Sequence, residues 1–200
     1  MPNLIKESVR GMEVLTPEDL LFTNREIFLT TGVDSDTSNK LIKQLMILEK
    51  LDNNAEITLY INSPGGEVVS GLAVYDFIKL MKAPVRTVCI GTAASMGAIL
   101  FLAGKKREML EHTRLMIHDP AYSGGDMAGK KPHELQVYVD KLKQTQEIVA
   151  KIIAEKTGKT LEEVYEKTRD DTYFNAEEAI EYGLATGIFG KPNGNKEFLS

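Results

Sequence analysis

The chain predicts an α/β domain built on parallel strands, and three observations carry that reading. Short β-forming runs alternate with segments of helical period in the order strand, helix, strand, helix, strand, the order of right-handed βαβ crossovers. The later helical segments begin and end at recognisable caps. The 200 residues, 42% apolar and 26% charged, suffice for one domain (1–200) with a substantial core and are ordinary for a globular protein.

Composition also removes whole classes. The net charge is −5, with acidic and basic residues interspersed and no basic stripe for a nucleic acid. Cys89 is the only cysteine, so no internal disulfide forms and a reducing compartment is expected. The start, "MPNLIKESVRGMEVL", has no apolar signal core. The longest apolar run, Ala98 to Ala103, is too short to span a bilayer. A cytoplasmic protein is expected.

Each element follows in turn. Residues 1–24 mix charges with Pro2 and Pro17 and hold no period, which predicts an irregular arm. "REIFLTT" (25–31) reads as a strand. Ser35 or Asp36 can cap a helix through Leu51, with Leu41, Ile42, Leu45 and Leu48 at helical spacing. "EITLYIN" (56–62) is a second strand, broken by "SPGG". A helix from Glu67 to Met81 is apolar around most of its surface and is expected to be deeply buried. "APVRTVCI" (83–90) is a third strand. "GTAASMGA" (91–98) leads into a helix over "MGAILFLAG", and "TRLMIH" (113–118) is a fourth strand. After a glycine-rich loop at 123–130, Pro132 opens a long helix to Lys156, with Leu135, Val139, Leu142, Val149, Ile152 and Ile153 on one face; Gly158 stops it. "TLEE" (160–163) is a capping box for a helix to Thr168, and "NAEEAIEYG" (175–183) is a helix between an Asn cap and a Gly stop. The tail 190–200 is polar and expected to fray.

Parallel sheets bind ligands beyond the carboxyl ends of their strands. Three loops leave strands there: "NSPGG", "GTAASMG" and "HDPAYSGG". Small neighbours let Ser95 sit on a tight strand-to-helix turn, where the first helical N–H groups, beginning with Met96, have no intrahelical partner. That is the logic of a nucleophile elbow without its G-x-S-x-G pattern. A serine N-cap is the commoner use of such a position. "SPGG" offers exposed N–H groups for an anion, and equally a plain turn. His118 ends a strand and can serve as a base for a serine, or be a satisfied core histidine. His112 and His133 lie in polar surroundings. Asp119, Asp170 and Asp171 are the carboxylates that could orient a histidine. Asp119 would point away from its neighbour His118; Asp170 and Asp171 are not separable by local reasoning.

Together, "YINSPGG" (60–66), "GTAASMGA" (91–98), "LMIHDP" (115–120) and "DDTYFNAEEAIEYGL" (170–184) resemble the proteolytic subunit of the Clp protease, the ClpP family. The resemblance runs from about Ile27 to Leu184. It implies a crotonase-like superhelix of ββα units with a protruding handle helix, the handle region being 123–157. It implies Ser95 as nucleophile, His118 as base and Asp171 as third member, with the N–H groups of Gly66 and Met96 as oxyanion hole. It implies a self-compartmentalised serine endopeptidase in two stacked seven-membered rings, fed by an ATP-driven unfoldase of the AAA+ type. No cofactor is expected in this chain, which has no GxxxxGK[ST] phosphate loop.

Departures from the family pattern are visible. "VLTPEDLLFTN" replaces the usual continuation of the arm, and the segment around "YSGGDMAGKKP" is longer. Thr58 and Met109 stand where the unfoldase-docking pocket often has aromatic residues, while Tyr60 keeps one. The order Arg169-Asp170 differs from the family's. These changes suggest a divergent isoform, working with a paralogous subunit or weakly active in support of one. The other competing function is an acyl-CoA enzyme on the same fold, whose "PGG" loop would polarise a thioester.

Overall fold

The computed structural model describes residues 4–8, 11–122 and 128–191. Most of the glycine-rich loop and nearly all of the expected tail lie outside the described residues.

The arm is more regular than its sequence suggests. Strands β1 (Leu4–Ser8) and β2 (Gly11–Leu15) pair antiparallel. Helix α1 (Pro17–Thr23) follows, started by a capping box between Thr16 and Asp19 with Pro at the first helical position. Two strands of five residues and a helix of seven are too short to establish a period.

The main sheet comprises β3 (Glu26–Leu29), β4 (Ile57–Ser63), β5 (Val85–Ala94), β6 (Lys106–Met109), β7 (Arg114–Ile117), β8 (Thr172–Phe174) and β9 (Gly187–Ile188). Its order is β3-β4-β5-β6-β9, and all these neighbours are parallel. Strand β5 forks. Residues 86–89 pair with β6 and residues 92–94 with β7, to which β8 adds antiparallel. The connecting helices are α2 (Ser35–Leu51), α3 (Val68–Leu80), α4 (Met96–Leu102), α5 (Pro132–Thr157), α6 (Leu161–Thr168) and α7 (Ala176–Tyr182). This is the α/β class expected, with the crossover order of the ClpP fold.

In the main sheet, three strands are not evident from the sequence. Strand β6, "KREM", looks like a charged turn, but its charges have buried or half-buried partners. Arg107 donates to the carbonyls of Leu184 and Gly183, and Glu108 pairs with Arg86. Strands β8 and β9 have three and two residues, too few for alternation to show.

The core lies on the side of the sheet that carries Ile27, Leu29, Ile57, Leu59, Ile61, Val85, Cys89 and Met109, under α2, α3 and α4. Helix α4 is buried along its whole length, as an apolar run with no polar face must be. Two expectations about helices change. The N-cap of α2 is Asp34, reciprocally bonded with Thr37, one residue before Ser35 and two before Asp36, the caps expected. Helix α3 is not deeply buried: Gly71, Val74, Tyr75 and Ile78 face the core, while Val69 and Leu80 are 77% and 84% exposed. On α5 only the last turns pack, through Val149, Ala150, Ile152 and Ile153. Its first half projects, leaving Leu135, Val137 and Val139 exposed.

Candidate active site

Strand β5 ends at Ala94, and the chain turns at Ser95 with φ 52° and ψ −121°. Positive φ in a residue bearing a Cβ costs on the order of 1–3 kcal/mol and persists only where surroundings hold it. Here the Ser95 N–H donates to the Met116 carbonyl at 2.9 Å, and the Ser95 carbonyl accepts from Ala98 and Ile99. Ser95 therefore stands at the N-cap position of α4, yet its hydroxyl does not cap it. The side chain points to His118.

The Ser95 hydroxyl lies 2.8 Å from His118 Nε2, and His118 Nδ1 lies 3.1 Å from Asp171 Oδ1. An ionised carboxylate can only accept, so the proton of the imidazole sits on Nδ1. Nε2 is left as the acceptor for the serine hydroxyl. Strand pairing explains how three residues so far apart in sequence meet. β5 and β7 run parallel with Ala94 beside Met116. β7 and β8 run antiparallel with Ile117 opposite Thr172. One step beyond that ladder, His118 is opposite Asp171, and opposite residues share a face. The same register turns Asp170 away. It is exposed, and its carbonyl accepts from the Thr172 hydroxyl.

The third carboxylate, Asp119, has other work. Its oxygens accept from Gln146 and Thr168, both at 2.6 Å, and its N–H donates to the Thr168 carbonyl. It ties the segment after His118 to α5 and α6. His112 and His133 are exposed and distant from the constellation in the sheet.

The "SPGG" loop closes the other side. Gly65 and Gly66 have φ of 91° and 151°. A Cβ on Gly65 would stand 2.7 Å from Ser95 Cβ and 2.8 Å from the Met96 nitrogen; one on Gly66 would stand 2.2 Å from the Val33 carbonyl oxygen. Only glycine lets this loop lie against the serine turn. Among the described residues, neither the Gly66 nor the Met96 N–H is used in a hydrogen bond.

Two residues that the sequence reading passed over shape the site. Ser63 donates to the Thr31 carbonyl at 2.6 Å and accepts from the Gly65 N–H at 3.2 Å, fixing the glycine loop. Asn62 fills a bulge. Between Ile61 and Ser63 the partners on β5 jump from Cys89 to Ala93, and the Asn62 side chain accepts from the Thr92 N–H at 3.0 Å. The quoted "YINSPGG" contained both, but their roles require knowing that β5 bulges.

Beside Ser95 and His118 lies a small hollow, of about 20 Å³, walled by Val68, Met96, Ile99, Ile117, Pro120, Val149 and Ile153. It is apolar apart from the serine and histidine.

The expected docking residues divide. Thr58 and Tyr60 share one face of β4; Tyr60 stacks on Phe28 at 4.9 Å and donates to Glu26 at 2.7 Å. Burial and the Glu26 carboxylate push the Tyr60 phenol well up. Met109 does not belong with them. It pairs in register with Cys89, whose neighbour is Ile61, so it faces the core and is fully buried. The β6 residue on the Tyr60 face is Glu108, in a buried pair with Arg86 at 2.5 Å.

Among the described residues no helix is long and apolar enough to cross a membrane, and no group of three or more His, Cys, Asp or Glu could hold a metal ion.

A serine, a histidine and a carboxylate joined in this way, on an α/β superhelix, are the equipment of a serine hydrolase. The sequence profile described as Clp protease matches residues 9–192. An ATP-dependent Clp protease proteolytic subunit 1 from Corynebacterium glutamicum is 38% identical over 191 residues, covering 94% of this chain and 90% of that one. The protein of the same name from Prochlorococcus marinus is 39% identical over 193 residues, covering 96% of each. The chain belongs to the Clp protease family. Its activity is that of a serine-type endopeptidase, and the acyl-CoA alternative is not favoured.

Proposed function

We propose that Ser95, His118 and Asp171 are the catalytic triad, with Gly66 and Met96 as the oxyanion donors. The observation that carries this is the 2.8 Å contact between the Ser95 hydroxyl and His118 Nε2. Ser95 Oγ attacks a peptide carbonyl while Nε2 takes its proton. Asp171 holds the imidazole's tautomer and stabilises its charge. The carbonyl oxygen, now an anion, is received by the Gly66 and Met96 N–H groups. His118 then passes the proton to the leaving amine, and a water molecule deacylates Ser95 by the same path. General acid–base help is worth about 10²–10⁴-fold, and an oxyanion donor about 10²–10³-fold. The apolar hollow beside Ser95 favours an apolar substrate side chain next to the scissile bond. No step draws on a cofactor.

We further place the protein in the cytoplasm, as a homo-oligomer of two stacked heptameric rings that receives unfolded chains from an AAA+ unfoldase, which uses the ATP. Supporting this are the exposed apolar residues of the projecting half of α5 and of α2 and α3, among them Leu135, Val139, Leu51 and Leu80. The Thr58 and Tyr60 face, now with Glu108 in place of Met109, is the surface assigned to the unfoldase. The relatives' numbered name, "subunit 1", agrees with a paralogous partner.

A fluorophosphonate probe should label Ser95, and labelling should vanish in His118→Ala. Labelling that survives in Ser95→Ala would overturn the assignment. Native mass spectrometry of the chain, alone and mixed with a paralogue, tests the assembly; a stable monomer under both conditions would refute it.

A further inference from the structure

His118 and Asp171 both sit just past the end of a strand ladder. The pairing of β7 with β8 stops at Ile117 and Thr172, one residue short of each. Asp171 lies on the short connection 169–171 between α6 and β8. Its side chain is 59% exposed, and that of His118 25%. An ion pair this open to water contributes little by its own attraction. The 3.1 Å contact between them therefore depends on what holds the two arms of backbone.

The carboxyl end of α6 bonds to both arms. Thr168, the last residue of that helix, is 2% exposed. Its hydroxyl donates to Asp119 Oδ1 at 2.6 Å, and its carbonyl accepts from the Asp119 N–H at 2.7 Å. The two bonds close a ring on the residue that follows His118. A hydroxyl-to-carboxylate bond this short lies in the range of charge-assisted ones. One residue earlier, the Lys167 carbonyl accepts at 2.7 Å from the hydroxyl of Thr172, the residue that follows Asp171. Gln146 donates to the other Asp119 oxygen at 2.6 Å, so the carboxylate is also tied to α5.

We propose that Thr168 and Asp119 are positioning residues for the peptidase reaction: the end of α6 clamps the arm of His118 to the arm of Asp171 and so sets the distance between imidazole and carboxylate. The inference rests on the triad proposed above. Both residues act through the backbone beside the triad and not on the imidazole itself. A misplacement of about 1 Å can cost about 10²-fold in rate, so the clamp is read in kcat and not in substrate binding.

The test measures turnover of a short peptide by the assembled protease. Thr168→Val keeps the side chain's shape and removes its hydroxyl. It should lower kcat about 10–10²-fold with KM within about twofold, and Thr168→Ser should recover most of the loss. Thr157→Val removes a comparable part-buried hydroxyl, bonded at 2.7 Å to the Ile153 carbonyl; it should leave kcat unchanged. Gln146→Leu spares both bonds to Thr168 and should cost less than about threefold. Ser95→Ala separates the two readings. If it keeps turnover, the triad falls and the clamp with it. If it is inactive while Thr168→Val works within about twofold of wild type, the triad stands and the clamp is overturned. A loss that Thr168→Ser does not recover, or that Thr157→Val matches, would equally overturn it, since general destabilisation would then explain the effect.

Discussion

Two turns leave the parallel sheet side by side, and they solve the same steric problem in opposite ways. After β4 the chain bends through Gly65 and Gly66, at φ 91° and 151°. After β5 it bends through Ser95, at φ 52°. The first turn offers only backbone, so it uses the residue for which positive φ is free. The second, on the proposed triad, presents the nucleophilic hydroxyl, so it keeps a Cβ in a region where a Cβ is costly. Its neighbours supply what holds it there: the bond to Met116, the start of α4 and the glycine loop pressed against it. Strain at a non-glycine position marks the residue whose side chain matters.

Variants can break that comparison, in descending order of effect. Ser95→Ala should cut peptide turnover by about 10⁴-fold or more, with the fold intact by circular dichroism; turnover near wild type would remove Ser95 from the chemistry. Gly66→Ala places a Cβ 2.2 Å from the Val33 carbonyl oxygen. It should destabilise by roughly 2–4 kcal/mol in urea titration and lower turnover by at least about 10²-fold. Asp171→Ala should lose about 10²–10⁴-fold, Asp170→Ala less than about threefold; the opposite ranking in one peptide assay would mean that the strand register does not deliver the carboxylate. Ser95→Gly sharpens the contrast most finely. It should be as inactive as Ser95→Ala but more stable by about 1 kcal/mol, because glycine relieves the positive φ. A Ser95→Gly chain no more stable than Ser95→Ala would show that the turn stores no strain.

A pH dependence arises elsewhere in the fold. Lys156 binds its proton less tightly in the folded chain, about 8, than the ordinary 10.5. Between those values the unfolded chain holds more protons, so this group's contribution to stability rises with pH. Lys156→Met should therefore raise the melting temperature at neutral pH, with an advantage that shrinks as pH climbs through 8 toward 10.5. An advantage that grows with pH would contradict the sign.

Much of this was readable in the chain. The caps at Thr160 and Asn175 were visible because reciprocal side-chain bonds leave a fixed spacing, and the stop at Gly158 because a left-handed helix end favours glycine. The strands β4 and β5 were visible because parallel strands buried on both faces need continuous apolar runs. Strand β8 was not, and with it went the means of choosing between Asp170 and Asp171 from the residues alone. That choice is made by its register with β7, a property of two segments more than fifty positions apart. Met109 was misplaced for a related reason. In a strand, one position decides which face a side chain joins, and β6 had not been seen as a strand. Helix α3 looked wholly buried because apolar composition does not distinguish a core from a surface awaiting another molecule.

The fork in β5 sets a measure for the proposed triad. Serine and histidine ride on adjacent strands whose spacing, about 4.8 Å, is a property of the peptide backbone. Their separation is thus inherited from the main chain, and no neighbouring side chain has to be tuned to produce it. Substitutions across the outer surface leave that ruler unchanged, while one residue inserted into β5 or β7 would shift its marks by a whole strand step. The chain can therefore diverge widely in what it touches and still cut in the same way.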